Sequence, residues 1–299
     1  MPSVIGVAAA VRKAYLSRKF KRRNRSILGD FSLTFFLGVF GLFSVWPLVF
    51  IINNAFKPLN EIFVFPPNLF VQNPTLTNFA DLSIILGNSW IPLSRYIFNT
   101  VFLTALGTVG TVLIGSMAAF PLAKYVFPGS RLMSKLVVYS LMFNGTVTAL
   151  PNYIIMSKLH MIDTYWAIIL PSAGGTLGLF LMQNFMVQVP SALLEAAKMD
   201  GAGEFTIFWR VMMPLSKSAW ITLVILSFQF LWGTTGGGFI YSEKLKPVSY
   251  ALSQIVNAGV ARTGVASAVT LIMLVVPVVV FVISQSNVIQ TMATTGIKE

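Results

Sequence analysis

Long apolar runs alternate with short polar segments along almost the whole chain. Six runs reach the roughly 20 residues that a helix needs to cross a bilayer core. They cover about residues 31–52, 96–121, 132–155, 166–187, 215–233 and 266–289. None contains aspartate or glutamate, and Lys135 lies near a run's end, where its ammonium can snorkel to the interface. The pattern predicts an all-α integral membrane protein with six transmembrane helices. A basic tail over 1–30 precedes the six-span domain at 31–290, and a short tail, 291–299, follows it. The first apolar run is too long for a signal-peptide core and lacks a small-residue cleavage site, so it reads as a retained span.

Breaks and small residues refine this picture. Gly107, Thr111 and Gly115 recur every fourth position in the second span, which lets another helix approach closely. Pro151, Pro171 and Pro277 predict kinks, and Gly174-Gly175 predicts a close crossing in the fourth span. The segment between the first two spans carries Pro58, Pro66, Pro67 and Pro74, and is expected to run extended at first. A short interfacial helix over 83–94, with Trp90 at headgroup level, is expected to follow. Gly236-Gly237-Gly238 predicts a mobile turn after the fifth span.

Composition agrees with the membrane class. Of 299 residues, 56% are hydrophobic and 10% charged, against about 25% charged in a soluble domain. The net charge of +12 does not point to nucleic acid, because eight of the 21 lysines and arginines crowd into residues 12–25, just before the first span. Such a block is a cytoplasmic anchor beside anionic lipid. With both termini in the cytoplasm, the inner segments hold 15 basic residues and the outer loops six. The positive-inside rule therefore places the loop at 190–214 in the cytoplasm. Cysteine is absent, which excludes disulfides, thiol catalysis and cysteine-bound metal.

Catalytic chemistry finds no foothold. His160, the single histidine, shares a short loop with Asp163, and two such residues do not make a metal site. No serine, histidine and acid constellation has usable spacing. No glycine-rich loop is followed by Lys-Ser or Lys-Thr, so ATP-driven work must come from a partner. The polar residues suited to a pathway for a neutral solute are Asn144, Thr146 and Thr148 in the third span, and Gln229, Trp232 and Thr234 at the end of the fifth. Amides exchange hydrogen bonds with sugar hydroxyls, and an indole stacks on a pyranose face. Each can equally serve an interhelical hydrogen bond. The lack of carboxylates inside the spans argues against ion-coupled transport.

The most specific signal is Glu195-Ala196-Ala197, then Gly201, then Val211-Met212-Met213-Pro214, in the loop between the fourth and fifth spans. Pro190 and Ser191 suit a helix start and Gly201 a helix stop. Leu193, Ala196 and Ala197 share one face of mostly small side chains on which another protein can settle, while Glu195, Lys198, Asp200 and Glu204 keep the helix in water. This stretch resembles the cytoplasmic EAA loop of the membrane-spanning subunits of ABC importers. Val211 and Met213 replace the Ile and Leu of that pattern. Asp200-Gly201-Ala202 is similar to the sugar-importing branch, as is the run from Phe65-Pro66-Pro67 to Pro74-Thr75-Leu76-Thr77-Asn78-Phe79. The end of the chain, 290–299, resembles the short tail of maltose-type permeases, although Glu299 departs from it.

The resemblance implies a type I ABC importer permease fold with a cytoplasmic coupling helix. It assigns ATPase coupling to Glu195, Ala196, Ala197, Asp200, Gly201 and Pro214, with Glu195 anchoring the loop through a charge-assisted hydrogen bond. It implies an ATPase dimer that binds ATP and Mg, a second permease subunit that is a paralogue, an external solute-binding protein and a sugar substrate. It places the chain in the bacterial inner membrane and implies no cofactor in the chain itself. The alternatives are a permease for another solute and an ion-coupled carrier that works alone.

Overall fold

The computed structural model describes residues 27–66, 68–87, 91–143, 145–257, 259 and 262–295. Among them are helices and no strand. In chain order the helices are α1 (Ile27–Phe56), α2 (Leu59–Ile62), α3 (Thr77–Gly87), α4 (Leu93–Lys124), α5 (Ser130–Ser140), α6 (Gly145–Lys158) and α7 (Trp166–Ala173). There follow α8 (Thr176–Gln188), α9 (Ser191–Met199), α10 (Glu204–Ile207), a π-helical turn (Phe208–Met212), α11 (Met213–Leu215), α12 (Lys217–Trp232), α13 (Val248–Asn257) and α14 (Thr263–Thr295). Internal contacts divide the chain into Met1–Phe50 and Ile51–Glu299, a boundary that falls within α1. The predicted tail over 1–30 lies mostly outside the described residues.

Among the described residues, four segments are long and apolar enough to cross a membrane: Gly29–Phe56, Leu93–Lys124, Trp166–Gln188 and Thr263–Ser284. The bent pair Glu204–Leu215 and Lys217–Trp232 makes a fifth if it is counted as one span. The predicted third span, 132–155, is not continuous. It divides into α5 and α6, of 11 and 14 residues, and neither reaches the required length alone. The helix breaks after Ser140, with turn residues at Leu141 and Met142, and resumes at Gly145. The predicted fifth span begins two residues late. Glu204–Leu215 meets Lys217–Trp232 at 79°, at Ser216, whose backbone (φ −94°, ψ 18°) leaves the helical range.

Helix α4 is the centre of the larger unit and packs against α7, α8 and α12. Eight of its 13 buried positions are small or carry a short hydroxyl side chain, namely Thr100, Thr104, Gly107, Thr108, Thr111, Gly115, Ser116 and Ala119, while Leu103, Val112 and Phe120 are its larger apolar ones. A Cβ on Gly107 would lie 2.6 Å from Leu231 Cδ1, and one on Gly178 would lie 3.0 Å from Leu223 Cδ1. Leucines of α12 thus fill the gaps that the glycines leave, and at Gly115 a Cβ would stand 3.6 Å from the backbone of Gly178 and Leu179, the close approach that the four-residue spacing predicts. Thr111 adds polar attachment, with its hydroxyl 2.8 Å from Gly107 O and 3.0 Å from Ser172 O.

The segment between α1 and α4 is more folded than its prolines suggest. Pro58 opens the short α2, where Glu61 accepts hydrogen bonds from Gln72 N (3.1 Å), Asn73 N (2.9 Å) and Asn73 Nδ2 (2.9 Å). Helix α3 starts at Thr77 rather than near Ser83 and stops before Pro92, which caps the start of α4. Trp90 lies outside the described residues. The earlier start has a cause in Asn78. Its buried amide donates to Ala55 O (2.9 Å) and Lys57 O (2.8 Å), capping the carbonyls at the end of α1.

The strap between α12 and α13 is tied to the start of α4. Buried Asn99 donates to Lys244 O (2.9 Å) and Lys246 O (2.8 Å) and accepts from Tyr165 Oη (2.7 Å). Thr100 accepts from Val248 N (2.8 Å), and Tyr96 Oη donates to Glu243 (2.5 Å). Asp163, which shares its loop with His160, is a tether: its carboxylate accepts from Tyr241 N (2.9 Å), Ser242 N (2.8 Å) and the Ser242 hydroxyl. The Ser242 hydroxyl, with help from the two backbone N–H groups, holds the Asp163 carboxyl below its ordinary value against a smaller opposing effect of burial.

Two outcomes follow from these contacts. A Cβ on Gly264 would lie 2.4 Å from Asn78 Oδ1 and 2.8 Å from its Nδ2. Gly264→Ala should therefore cost about 1–3 kcal/mol by overpacking, measured as a lowered Tm in detergent, whereas Gly238→Ala, which meets nothing within 4 Å, leaves Tm unchanged. Because the folded-state pKa of Asp163 is depressed, its tether is complete at neutral pH and is lost as pH falls through that lowered value. Amide protection at Tyr241 and Ser242 should drop below about pH 4, and Asp163→Asn should weaken it already at pH 7.

Candidate functional site

The loop predicted to meet a partner protein folds as a short helix whose two faces differ. Helix α9 begins at Ser191 behind Pro190, without a side-chain cap. It ends as the glycine predicts. Gly201 takes φ +80°, Gly201 N donates to Lys198 O (3.0 Å) and Ala202 N donates to Ala197 O (3.0 Å). This is the Schellman pairing, which satisfies the last carbonyls and fixes the exit angle of the chain.

Leu194 is the inward anchor. It is 5% exposed and joins a core cluster with Phe120 of α4, Met182 and Met186 of α8, Ile207, Phe208 and Leu223 of α12. Burying a leucine contributes about 2 kcal/mol. Ala197, three residues on, packs against the same cluster. The expected docking face of Leu193, Ala196 and Ala197 is therefore divided: Leu193 and Ala196 stay exposed beside Met199, which is 88% exposed, while Ala197 turns to the core. Asp200 is the C-cap residue and is exposed, and Pro214 is exposed at the bend before α12.

Glu195 does not hold the loop from within the chain. It is exposed and engages none of the described residues. The charge-assisted anchor is Glu204, at the start of α10. Its carboxylate lies 2.7 Å from Lys198 Nζ and accepts from the Tyr125 hydroxyl. Lys198 also stands over the Tyr125 ring, 4.9 Å from its centroid. Lys198 first, then Tyr125, lowers the Glu204 carboxyl below its ordinary range, and Glu204 first raises Lys198. The neighbouring Lys124, the last residue of α4, donates to Val187 O (3.1 Å) and to Val189 O, at the end of α8. Sequence reading missed this group. The one available signal was a lysine closing a long helix, since cations suit carbonyl-rich helix ends. Nothing local marks Tyr125 as a partner of a residue 79 positions away.

The pathway candidates scatter. Asn144 lies outside the described residues. Thr148 gives its hydroxyl to Gly145 O (3.1 Å), within its own helix. Gln229 and Trp232 line a cavity of about 570 Å³ bounded by α12, α13 and α14. The Trp232 indole N–H is already committed to Met273 O (3.0 Å), and its ring stacks on Phe228 at 5.4 Å, so it serves packing between α12 and α14. A second cavity, of about 500 Å³, lies among α7, α8 and α12, and its polar lining includes Thr111, Asn152, Ser172, Ser227 and Thr234. Among the described residues no group of three or more His, Cys, Asp or Glu side chains is placed to hold a metal ion.

Comparison with known proteins places these features in a family. Residues 3–293 match the family described as "Binding-protein-dependent transport system inner membrane component". The chain is 29% identical over 231 residues to the polygalacturonan/rhamnogalacturonan transport system permease protein YtcP of Bacillus subtilis, covering 77% of this chain and 78% of that one. It is 31% identical over 206 residues to the arabinooligosaccharides transport system permease protein AraQ of the same organism, covering 67% and 73%. A solved structure of a bacterial ABC transporter involved in the import of the acidic polysaccharide alginate shares the fold, with a TM-score of 0.75 at 20% identity over 88% of this chain and 99% of that one. The chain, with its apolar helices and its short capped helix between α8 and α12, thus belongs to the binding-protein-dependent transport system inner membrane component family.

Proposed function

We propose that this chain is one permease subunit of a type I ABC importer that carries a sugar or oligosaccharide across the bacterial inner membrane. The observation that carries the reading is α9. It is a rigidly capped helix, anchored by Leu194, that offers Leu193, Ala196 and Met199 to a partner. The sugar class rests on YtcP and AraQ, which are named for the transport of polygalacturonan/rhamnogalacturonan and of arabinooligosaccharides.

In this reading the chain makes six crossings. α5 and α6 together form the third, and α12 forms the fifth, with Glu204–Leu215 lying along the inner surface before it. Both termini and the loop at 190–214 face the cytoplasm, where the basic residues concentrate. α9 is the coupling helix, and Glu195, Ala196, Asp200 and Gly201 meet or shape the contact with the ATPase, while Ala197 fixes α9 to its own subunit. Pro214 marks the bend into the fifth crossing. ATP and Mg are bound by the partner ATPase dimer, and this chain does no chemistry on them. A paralogous second permease completes the pathway, and an external binding protein delivers the solute. When the ATPases close, the coupling helices approach one another and the permease pair opens outward.

The solute passes through a space that the two permeases share. Gln229 is exposed and able to exchange hydrogen bonds with hydroxyl groups, and the Trp232 ring contributes its remaining face. Thr148 and Asn144 are weaker contributors to the same path. A neutral solute needs no charged group along it, and none of the six runs contains a carboxylate.

The reading is tested in liposomes holding this chain with its ATPase, sister permease and binding protein. Wild type should take up oligosaccharide only with ATP. Glu195→Lys, which reverses the exposed charge on α9, should abolish uptake while the subunit remains in the membrane. Gly201→Asp should do the same, because an L-residue at φ +80° costs about 1–2 kcal/mol and changes the exit of the coupling helix. Wild-type uptake by both variants, or uptake by this chain alone, would overturn the assignment.

A further inference from the structure

The coupling loop is held at both ends by two consecutive residues, Lys124 at the end of α4 and Tyr125 at its C-cap. At its beginning, Lys124 donates to the carbonyls of Val187 and Val189, directly before Pro190. At its far side, Tyr125 donates to Glu204, which in turn pairs with Lys198 of α9 at 2.7 Å. The Tyr125 ring is itself seated, edge-on to Phe120 of α4 at 5.5 Å between centroids. Between these two ties Pro190 fixes the entry to α9, and Gly203 after it is the point where the chain can turn. With the ties in place, a displacement of α9 must move the end of α4. With them absent, only the apolar seat of Leu194 and Ala197 joins α9 to the end of α4, and α9 can tilt on that seat without drawing α4 along.

We propose that Lys124 and Tyr125 form a two-point clamp that makes the coupling helix move as one body with α4. They are positioning residues for transport, and the inference rests on the importer reading above. The clamp is not a stability element. Exposed ion pairs contribute little to folding, and Lys198 and Glu204 are 43% and 58% exposed. Its role is to carry force. α4 is the right element to receive it, because it is the helix against which α7, α8 and α12 all pack.

Two conservative changes isolate the clamp. Tyr125→Phe keeps the ring on Phe120 and removes only the hydroxyl. Lys124→Met keeps the aliphatic stem and removes the ammonium. In the complete importer, the double variant should hydrolyse ATP at a rate within about twofold of wild type, while solute moved per ATP falls about tenfold, the scale of a hydrogen bond to a charged group. Lys124→Arg, which keeps the donors, should restore the ratio when Tyr125 is intact.

A structural readout runs in parallel and does not depend on uptake. The chain has no cysteine, so spin labels go onto Val126→Cys, at a position 94% exposed, and Ala192→Cys on α9, within a complex of cysteine-free partners. With the clamp intact the label distance should be single and unchanged by nucleotide. In the double variant it should broaden and shift with nucleotide. A double variant that keeps the narrow distance, or the wild-type solute-to-ATP ratio, overturns the clamp. Failure of the wild-type complex to couple uptake to ATP would instead overturn the importer reading, and the label distances would still decide whether α9 and α4 move together.

Discussion

The close approach of α4 to its neighbours is the constraint on which the larger unit depends. In a bilayer there is little hydrophobic drive between helices, because lipid tails are as apolar as leucine, so association relies on van der Waals fit and on hydrogen bonds. Gly107 and Gly178 leave room for Leu231 and Leu223 that any side chain would fill. Thr111 then joins α4 to the backbone at Ser172. With this face of α4 closed, α7, α8 and α12 have one place to sit.

From that centre both ends of α4 take hold of loops that flank α12. At one end, Arg95, Tyr96, Asn99 and Thr100 grip the strap between α12 and α13. At the other, Lys124 and Tyr125 grip the loop that contains α9 and leads into α12. The two grips differ in character. Asn99 is fully buried and satisfied on both sides of its amide, so breaking it leaves costly unpaired polar groups. The Glu204 group is water-exposed and weaker, which suits a contact that must hold direction rather than resist unfolding. The π-helical turn at Phe208–Met212 and the 79° bend at Ser216 lie within the same loop. Irregular helix of this kind concentrates where function needs a departure from regular geometry.

Much of this was readable from residues alone, for definite reasons. The apolar runs announced the long helices, because a bilayer demands about 20 apolar residues in a row and no soluble fold does. Gly107, Thr111 and Gly115 announced the packing face of α4, since small residues recurring every fourth position share one side of a helix. Glu195-Ala196-Ala197 with Gly201 announced the short helix α9, and the Schellman cap followed from the one residue type that takes φ +80° without strain. Each of these is a local signal, written within a few turns of chain.

What sequence left open depends on partners distant along the chain. Ala197 and Ala196 are identical neighbours, yet one faces the core and the other solvent, a difference set by where Leu194 meets Phe120 and Met186. The anchoring carboxylate is Glu204 rather than Glu195, because only Glu204 comes within reach of Tyr125 at the end of α4. Trp232 reads as a sugar platform from its type, but folding spends its N–H on Met273, 41 residues away. The third apolar run looks continuous by hydropathy, and a break after Ser140, with turn residues at Leu141 and Met142, divides it. Periodicity and composition fix which segments become helices and which faces are small, because those follow from geometry over a few residues. Which polar group finds which partner is a question of three-dimensional proximity, and only the packed helices answer it.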